Sequence, residues 1–156
     1  MMIQIKAERC ALLKNQLSFF SFLQAEDLPE LTDYFTCASV DVGETLWREG
    51  DAGDFEAFII EGKVEISKET EFPGKQVVVG VYSPGTVVGE LCIMEDRPRA
   101  VTAVALEETA LLLLSRDKLE ELLAANPVLG SKLLKGMLMV VSLRLRKSFE
   151  RLASIF

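Results

Sequence analysis

The residues with most to offer chemically lie close together, between Ser83 and Thr102. Pro84-Gly85 forms a tight-turn pair, and Gly89 allows a close approach of backbone to ligand because no Cβ stands in the way. Glu90, Leu91, Cys92, Ile93 and Met94 follow as a brief helical turn whose free N–H groups face an anion. Arg99, set just before a strand, is the residue type for a bidentate, charge-assisted contact to a phosphate. Glu90 cannot serve a phosphate, but it accepts a hydrogen bond from a sugar hydroxyl. The pair therefore suits a ligand carrying both groups. An arginine and an acid nine positions apart also make an ordinary surface ion pair, and that reading stays open on these residues alone.

Composition narrows the chemistry. The chain has no histidine, which removes the commonest general base and the commonest metal ligand. Asp and Glu are plentiful, but the sequence sets none of them opposite another in a defined cleft, so binding without catalysis is expected and no cofactor is implied. Three cysteines, Cys10, Cys37 and Cys92, are an odd number at wide spacings. They argue against a disulfide framework, match no zinc or iron-sulfur pattern, and fit a reducing cytoplasm. No signal peptide opens the chain and no apolar run reaches membrane-spanning length, so a cytoplasmic protein without membrane contact is expected. The net charge of -7 is uneven: residues 1–126 carry -12 and residues 127–156 carry +5. An acidic body repels nucleic acid backbones, and four basic residues on one helix, Arg144, Arg146, Lys147 and Arg151, make a poor DNA reader without a recognition module. No direct DNA binding is expected. Their plainer reading is a solvated helix face.

The elements that must position Glu90 and Arg99 read as one domain spanning residues 1–156. Residues 1–37 are expected to hold short helices, with Leu12, Leu13, Phe19, Phe20 and Phe22 clustered and Leu17, Phe20 and Leu23 at helical spacing. Asp27 caps a further helix over 28–35, with Pro29 in its first turn and Glu30 completing a capping box. From residue 38 to 116 glycines recur every few positions between β-rich runs, with strands at 55–60, 63–67, 76–82, 101–106 and 110–115. Short strands with glycine turns predict a sandwich or barrel rather than alternating βαβ units. Asp117 caps a short helix over 118–125. Asn126-Pro127 then opens a long one reaching Leu152 or beyond. Its seam of Leu134, Leu138, Val141, Leu145, Leu152 and Ile155 suits a two-stranded coiled coil, or else covers the barrel, and Gly136 lowers its intrinsic helicity.

The segment resembles the phosphate-binding cassette of the cyclic-nucleotide-binding domain, found in cyclic-AMP-dependent kinase regulatory subunits, gated channels and bacterial catabolite-activator-type regulators. The family pattern Phe-Gly-Glu-Leu-Ala-Leu, a short insert, then Pro-Arg-Ala-Ala-Thr-Val, stands here as Val88-Gly89-Glu90-Leu91-Cys92-Ile93, an insert of Met94 to Arg97, then Pro98-Arg99-Ala100-Val101-Thr102-Ala103. Gly43-Glu44, Glu49-Gly50-Asp51, the strand and turn from Phe58 to Val64, Arg116-Asp117-Lys118 and Asn126-Pro127 extend the likeness over most of the chain. Val88 departs from the usual phenylalanine.

The resemblance implies a mainly β fold with flanking helices: a double-stranded β-helix, or jelly-roll, barrel with short N-terminal helices, a cassette at 85–100 and a long C-terminal helix. It implies that Glu90 binds a ribose 2'-hydroxyl, Arg99 neutralises the cyclic phosphate, and amides near Cys92 and Ala100 complete the cradle, with Gly89 and Leu91 in the same turn. Ala100, where cyclic-GMP binders often carry threonine, resembles the cyclic-AMP pattern. Leu133, Met137 and Val140 are the candidates for covering the base. The function implied is a regulatory module that signals through repacking of its C-terminal helices. Its implied partners are the cyclic nucleotide, a second copy through the long helix, and an effector protein. A member that keeps the barrel, binds no nucleotide and acts by dimerising or docking is the alternative.

Overall fold

The computed structural model describes residues 2–16 and 22–156. Its elements run β1 (Ile3–Gln4), α1 (Ala7–Asn15), α2 (Leu28–Leu31), β2 (Thr36–Val40), β3 (Thr45–Trp47), β4 (Phe55–Glu61), β5 (Val64–Glu69), β6 (Gln76–Tyr82), β7 (Val87–Val88), β8 (Thr102–Ala105), β9 (Thr109–Ser115), α3 (Arg116–Ala125) and α4 (Pro127–Ala153). The strands form two antiparallel sheets, ordered β1-β2-β9-β4-β7 and β3-β8-β5-β6. This is a barrel of the kind the glycine-punctuated strands predict, in the mainly β jelly-roll form with flanking helices that the family resemblance implies.

Two strands carry apolar residues on both faces, and the reason is that both faces are covered. Ala57 and Ile59 of β4 and Leu111 of β9 point inward to meet Leu46, Val64, Ile66, Val88, Ala103 and Ala105 between the sheets. Phe58, Ile60, Leu112 and Leu114 point outward and pack against Leu13, Leu31, Leu119, Leu122, Leu133 and Met137 from the helices. Each large side chain so buried contributes about 1.5–3 kcal/mol. The second layer is what fixes α3 and α4 to the barrel.

Four local expectations are corrected. Asp27 does not cap α2: its carboxylate accepts from the Gln24 amide at 2.8 Å and pairs with Lys132 at 2.8 Å, while Glu30 accepts from Asn126 at 2.9 Å. Both acids are thus used to dock α4, a partner some hundred residues away. Ser115, not Asp117, caps α3, its hydroxyl accepting from the Lys118 amide at 3.2 Å. The N-terminal stretch opens with a strand, because Ile3 and Gln4 pair with Ser39 and Ala38 of β2. That pairing also brings α1 over β2, where Cys10 and Cys37 form a disulfide with Cα atoms 5.6 Å apart. The reading of the cysteines as unbridged thiols is overturned, and Cys92 is the buried free one. Leu17, Phe19 and Phe20 lie outside the described residues.

The expected start of α4 holds: the Asn126 side chain accepts from the Leu129 amide at 3.1 Å and Pro127 follows in the first turn. Gly136 has a packing reason, since a Cβ there would lie 2.1 Å from the Phe22 ring. The apolar seam divides. Leu134 packs on the core, Val141 and the partly exposed Leu145 line a cavity, and Leu138, Leu152 and Ile155 are exposed. Among the described residues no helix is long and apolar enough to cross a membrane.

Candidate functional site

Between α4 and the barrel lies a cavity of about 760 Å³, within the usual range for small-molecule sites. Gly89, Glu90, Leu91, Cys92, Arg99 and Ala100 all line it, so the fold brings every residue singled out in the cassette to one wall. Glu90–Cys92 form a 3-10 turn directly after β7. Gly89 enters it with φ of 82°, a left-handed conformation, and a Cβ there would fall 2.6 Å from Arg99 Nη1. Glycine is required on both counts.

Arg99 is placed by backbone pairing. Its amide donates to Asp51 O and its carbonyl accepts from Gly50, both at 2.8 Å, which ties it to the turn after β3. The side chain is 2% exposed. Its guanidinium lies between two rings, 4.0 Å from the Trp47 centroid and 4.4 Å from that of Phe55. Nη1 donates to Cys92 Sγ at 3.2 Å, and the Cys92 thiol in turn donates to Gly89 O at 3.3 Å. Nε and Nη2 are buried with no acceptor among the described residues. Burial draws the Arg99 pKa down, an effect opposed first by its contact with Cys92 and then by Asp54 and Asp51. A cation so enclosed, with two N–H-bearing atoms unpaired, is built to receive an anion.

Glu90 is held from the other side of the cavity. Arg144 of α4 donates from Nη1 to Glu90 Oε1 at 2.5 Å and from Nη2 to Thr86 Oγ1 at 3.2 Å and to the Val87 carbonyl. Its guanidinium also lies 4.2 Å from the Tyr82 ring centroid. Arg151 donates to Val79 O at 2.6 Å. The plain reading of the basic helix face is therefore wrong for Arg144, which grips the barrel, and holds for the exposed Arg146, Lys147 and Arg151, the last of which also donates to the barrel. Of the base-covering candidates, Val140 lines the cavity, whereas Leu133 and Met137 sit in the core.

Three site residues escape sequence reasoning. Arg116 anchors the cassette through the carbonyls of Gly53, Cys92, Ile93 and Glu95, at 2.8–3.0 Å. These acceptors belong to the main chain, so no side-chain pattern announces them. Glu56 of β4 is fully buried, with neither carboxylate oxygen partnered among the described residues. Burial, helped by the nearby Glu90 carboxylate and opposed by Arg144, pushes its pKa well above the ordinary carboxylate range. Trp47 lines the cavity beside Arg99, a neighbour far away in sequence.

Comparison with known proteins agrees with this geometry. Residues 38–126 match the cyclic nucleotide-binding domain family. A CRP-like cAMP-activated global transcriptional regulator of Mycobacterium tuberculosis is 31% identical over 113 residues, which is 72% of this chain and 48% of that protein. A cAMP-dependent protein kinase regulatory subunit of Dictyostelium discoideum is 31% identical over 111 residues, 69% of this chain and 34% of that protein. The chain thus spans half or less of these curated relatives. A cyclic nucleotide-binding domain from Methylobacillus flagellatus KT superimposes with a TM-score of 0.89 at 25% identity, covering 99% of this chain and 89% of that one. With the cassette in register and the barrel around it, the chain belongs to the cyclic nucleotide-binding domain family.

Proposed function

We propose that the chain is a cyclic-nucleotide sensor that binds cyclic AMP in preference to cyclic GMP and performs no chemistry on it. One observation carries the reading: a single cavity is lined by a buried arginine with two donor atoms unpaired among the described residues and by the Glu90 carboxylate of the same cassette. A cyclic phosphate meets Arg99 Nε and Nη2 and the amides near Cys92 and Ala100. The ribose 2'-hydroxyl donates to Glu90. Ala100 offers no hydroxyl to a guanine, which supports the cyclic-AMP preference.

Signalling follows from the shared carboxylate. Glu90 is bound to α4 through Arg144, so a ribose that engages Glu90 changes what holds the long helix, and the helix repacks over the base. Ligand and helix then bias one two-state element, which is what coupling requires. An effector protein reads the moved helix. The exposed Leu138, Leu145, Phe149 and Leu152 support pairing of two copies through α4.

The test is stabilisation by ligand. At a hundredfold excess over Kd, cyclic AMP raises the unfolding free energy by about 2.7 kcal/mol, while 5'-AMP, with its open phosphate, gives far less. Equal effects of the two nucleotides, or none from either, contradict the reading.

A further inference from the structure

We propose that Trp47 is a third ligand group of this site, its indole N–H donating to the same phosphate that meets Arg99; the inference rests on the cyclic-nucleotide reading above. Trp47 is 5% exposed, and its Nε1 is buried with no acceptor among the described residues. Arg99 Nε and Nη2 share that condition, and the two side chains are stacked with the guanidinium carbon 4.0 Å from the indole centroid. Three unpaired donor atoms thus belong to one stacked pair on the wall of one cavity.

The surroundings hold the indole against the cassette. A Cβ at Gly89 would lie 3.0 Å from Trp47 Cη2 and 3.2 Å from Cζ2, so the missing side chain is what lets the cassette turn and the indole meet on the lining of one cavity. The register between β3 and β8 shifts between Thr45 and Trp47, and irregularities of this kind re-aim a side chain. The paired amides and carbonyls of Gly50, Asp51 and Arg99 then lock the exit of β3 to the arginine. An indole N–H donates and cannot accept, so it is satisfied by an anion or another acceptor and not by a cation. The stacked guanidinium withdraws electron density from the ring and makes the N–H a stronger donor.

Trp47 is the chain's one tryptophan, so its indole proton gives one assignable resonance in the nitrogen-15-labelled protein. That proton is expected to move downfield on saturation with cyclic AMP, and to move little with adenosine, which lacks the phosphate. Trp47→Phe keeps a ring against Arg99 but removes the donor. It should weaken cyclic AMP binding by calorimetry about tenfold, the worth of one hydrogen bond to a charged acceptor. An unmoved indole proton at saturation, or unchanged affinity in a folded Trp47→Phe protein, overturns the role of Trp47 and leaves the cyclic-nucleotide reading standing. Failure of the unaltered protein to bind any cyclic nucleotide overturns both.

Discussion

Replacing Arg99 with methionine separates a ligand group from a structural one, because the two roles predict opposite signs. Arg99 is 2% exposed, and among the described residues only Nη1 has hydrogen-bond partners, Cys92 Sγ at 3.2 Å and Gly89 O at 3.5 Å. Nε and Nη2 are left desolvated and unpaired. In the unliganded protein the residue therefore gains cation–π contact with Trp47 and Phe55, about 0.5–2 kcal/mol each, and loses a comparable amount to two unpaired buried donors. Methionine fills the same slot with an unbranched apolar chain that packs on both rings. The unliganded variant should fall within about 1 kcal/mol of the parent by urea denaturation, by this near cancellation. The ligand complex behaves differently. Two charge-assisted contacts to the phosphate are worth about 1.5–3 kcal/mol each, and allowing for their shared desolvation a loss of about 2–4 kcal/mol is expected, roughly thirty- to a thousandfold in Kd. Calorimetry with cyclic AMP measures this. Strong destabilisation with unchanged affinity would make Arg99 a packing residue and refute the reasoning.

Three other changes probe the remaining parts of the site. Arg144→Ala breaks the Glu90 pair; cyclic AMP should alter hydrogen exchange across residues 140–153 in the parent and not in the variant, and an identical response in both breaks the proposed link. Glu56 has a folded pKa raised above its unfolded value of about 4.3, so the native state binds the extra proton and stability falls as pH rises between those two values. Glu56→Gln should remove that slope, at most about 1.4 kcal/mol per pH unit, seen as urea midpoints of parent and variant that diverge as pH rises above the ordinary carboxylate range; parallel midpoints refute the raised pKa. For the exposed face of α4, Leu145→Glu should shift sedimentation from dimer to monomer, and a parent that is already monomeric at high concentration refutes pairing through this helix.

The cassette was legible because its signals are local. A glycine that must be left-handed, an acid one residue on and an arginine at the right interval declare themselves within a dozen positions. The strands read at 55–60 and 110–115 are nearly as plain, since burial on both faces makes Ala110 to Leu114 wholly apolar and leaves Glu56 as the one polar residue between Phe55 and Ile60. What stayed hidden depends on distant chain segments. Asp27 looked like a cap and is a docking group for Lys132; Cys10 and Cys37 looked unrelated until β1 paired with β2. Glu56 stays hidden because a lone acid near the start of an apolar strand reads as a solvent-facing position. Arg144 reads as solvated because a helical wheel does not know which neighbour lies opposite. The family resemblance points to the cassette residues, but the groups that hold them from across the cavity lie outside its pattern.

The claim on which all of this stands is that the cavity takes a cyclic nucleotide. Isothermal titration of the purified chain, first stripped of any bound nucleotide, tests it directly. Saturable 1:1 binding of cyclic AMP at micromolar or tighter affinity, weaker for cyclic GMP and largely lost in Arg99→Met, is the expected result. No heat with either nucleotide, together with no thermal stabilisation, would contradict the account and leave the exposed face of α4 as the working surface of the domain.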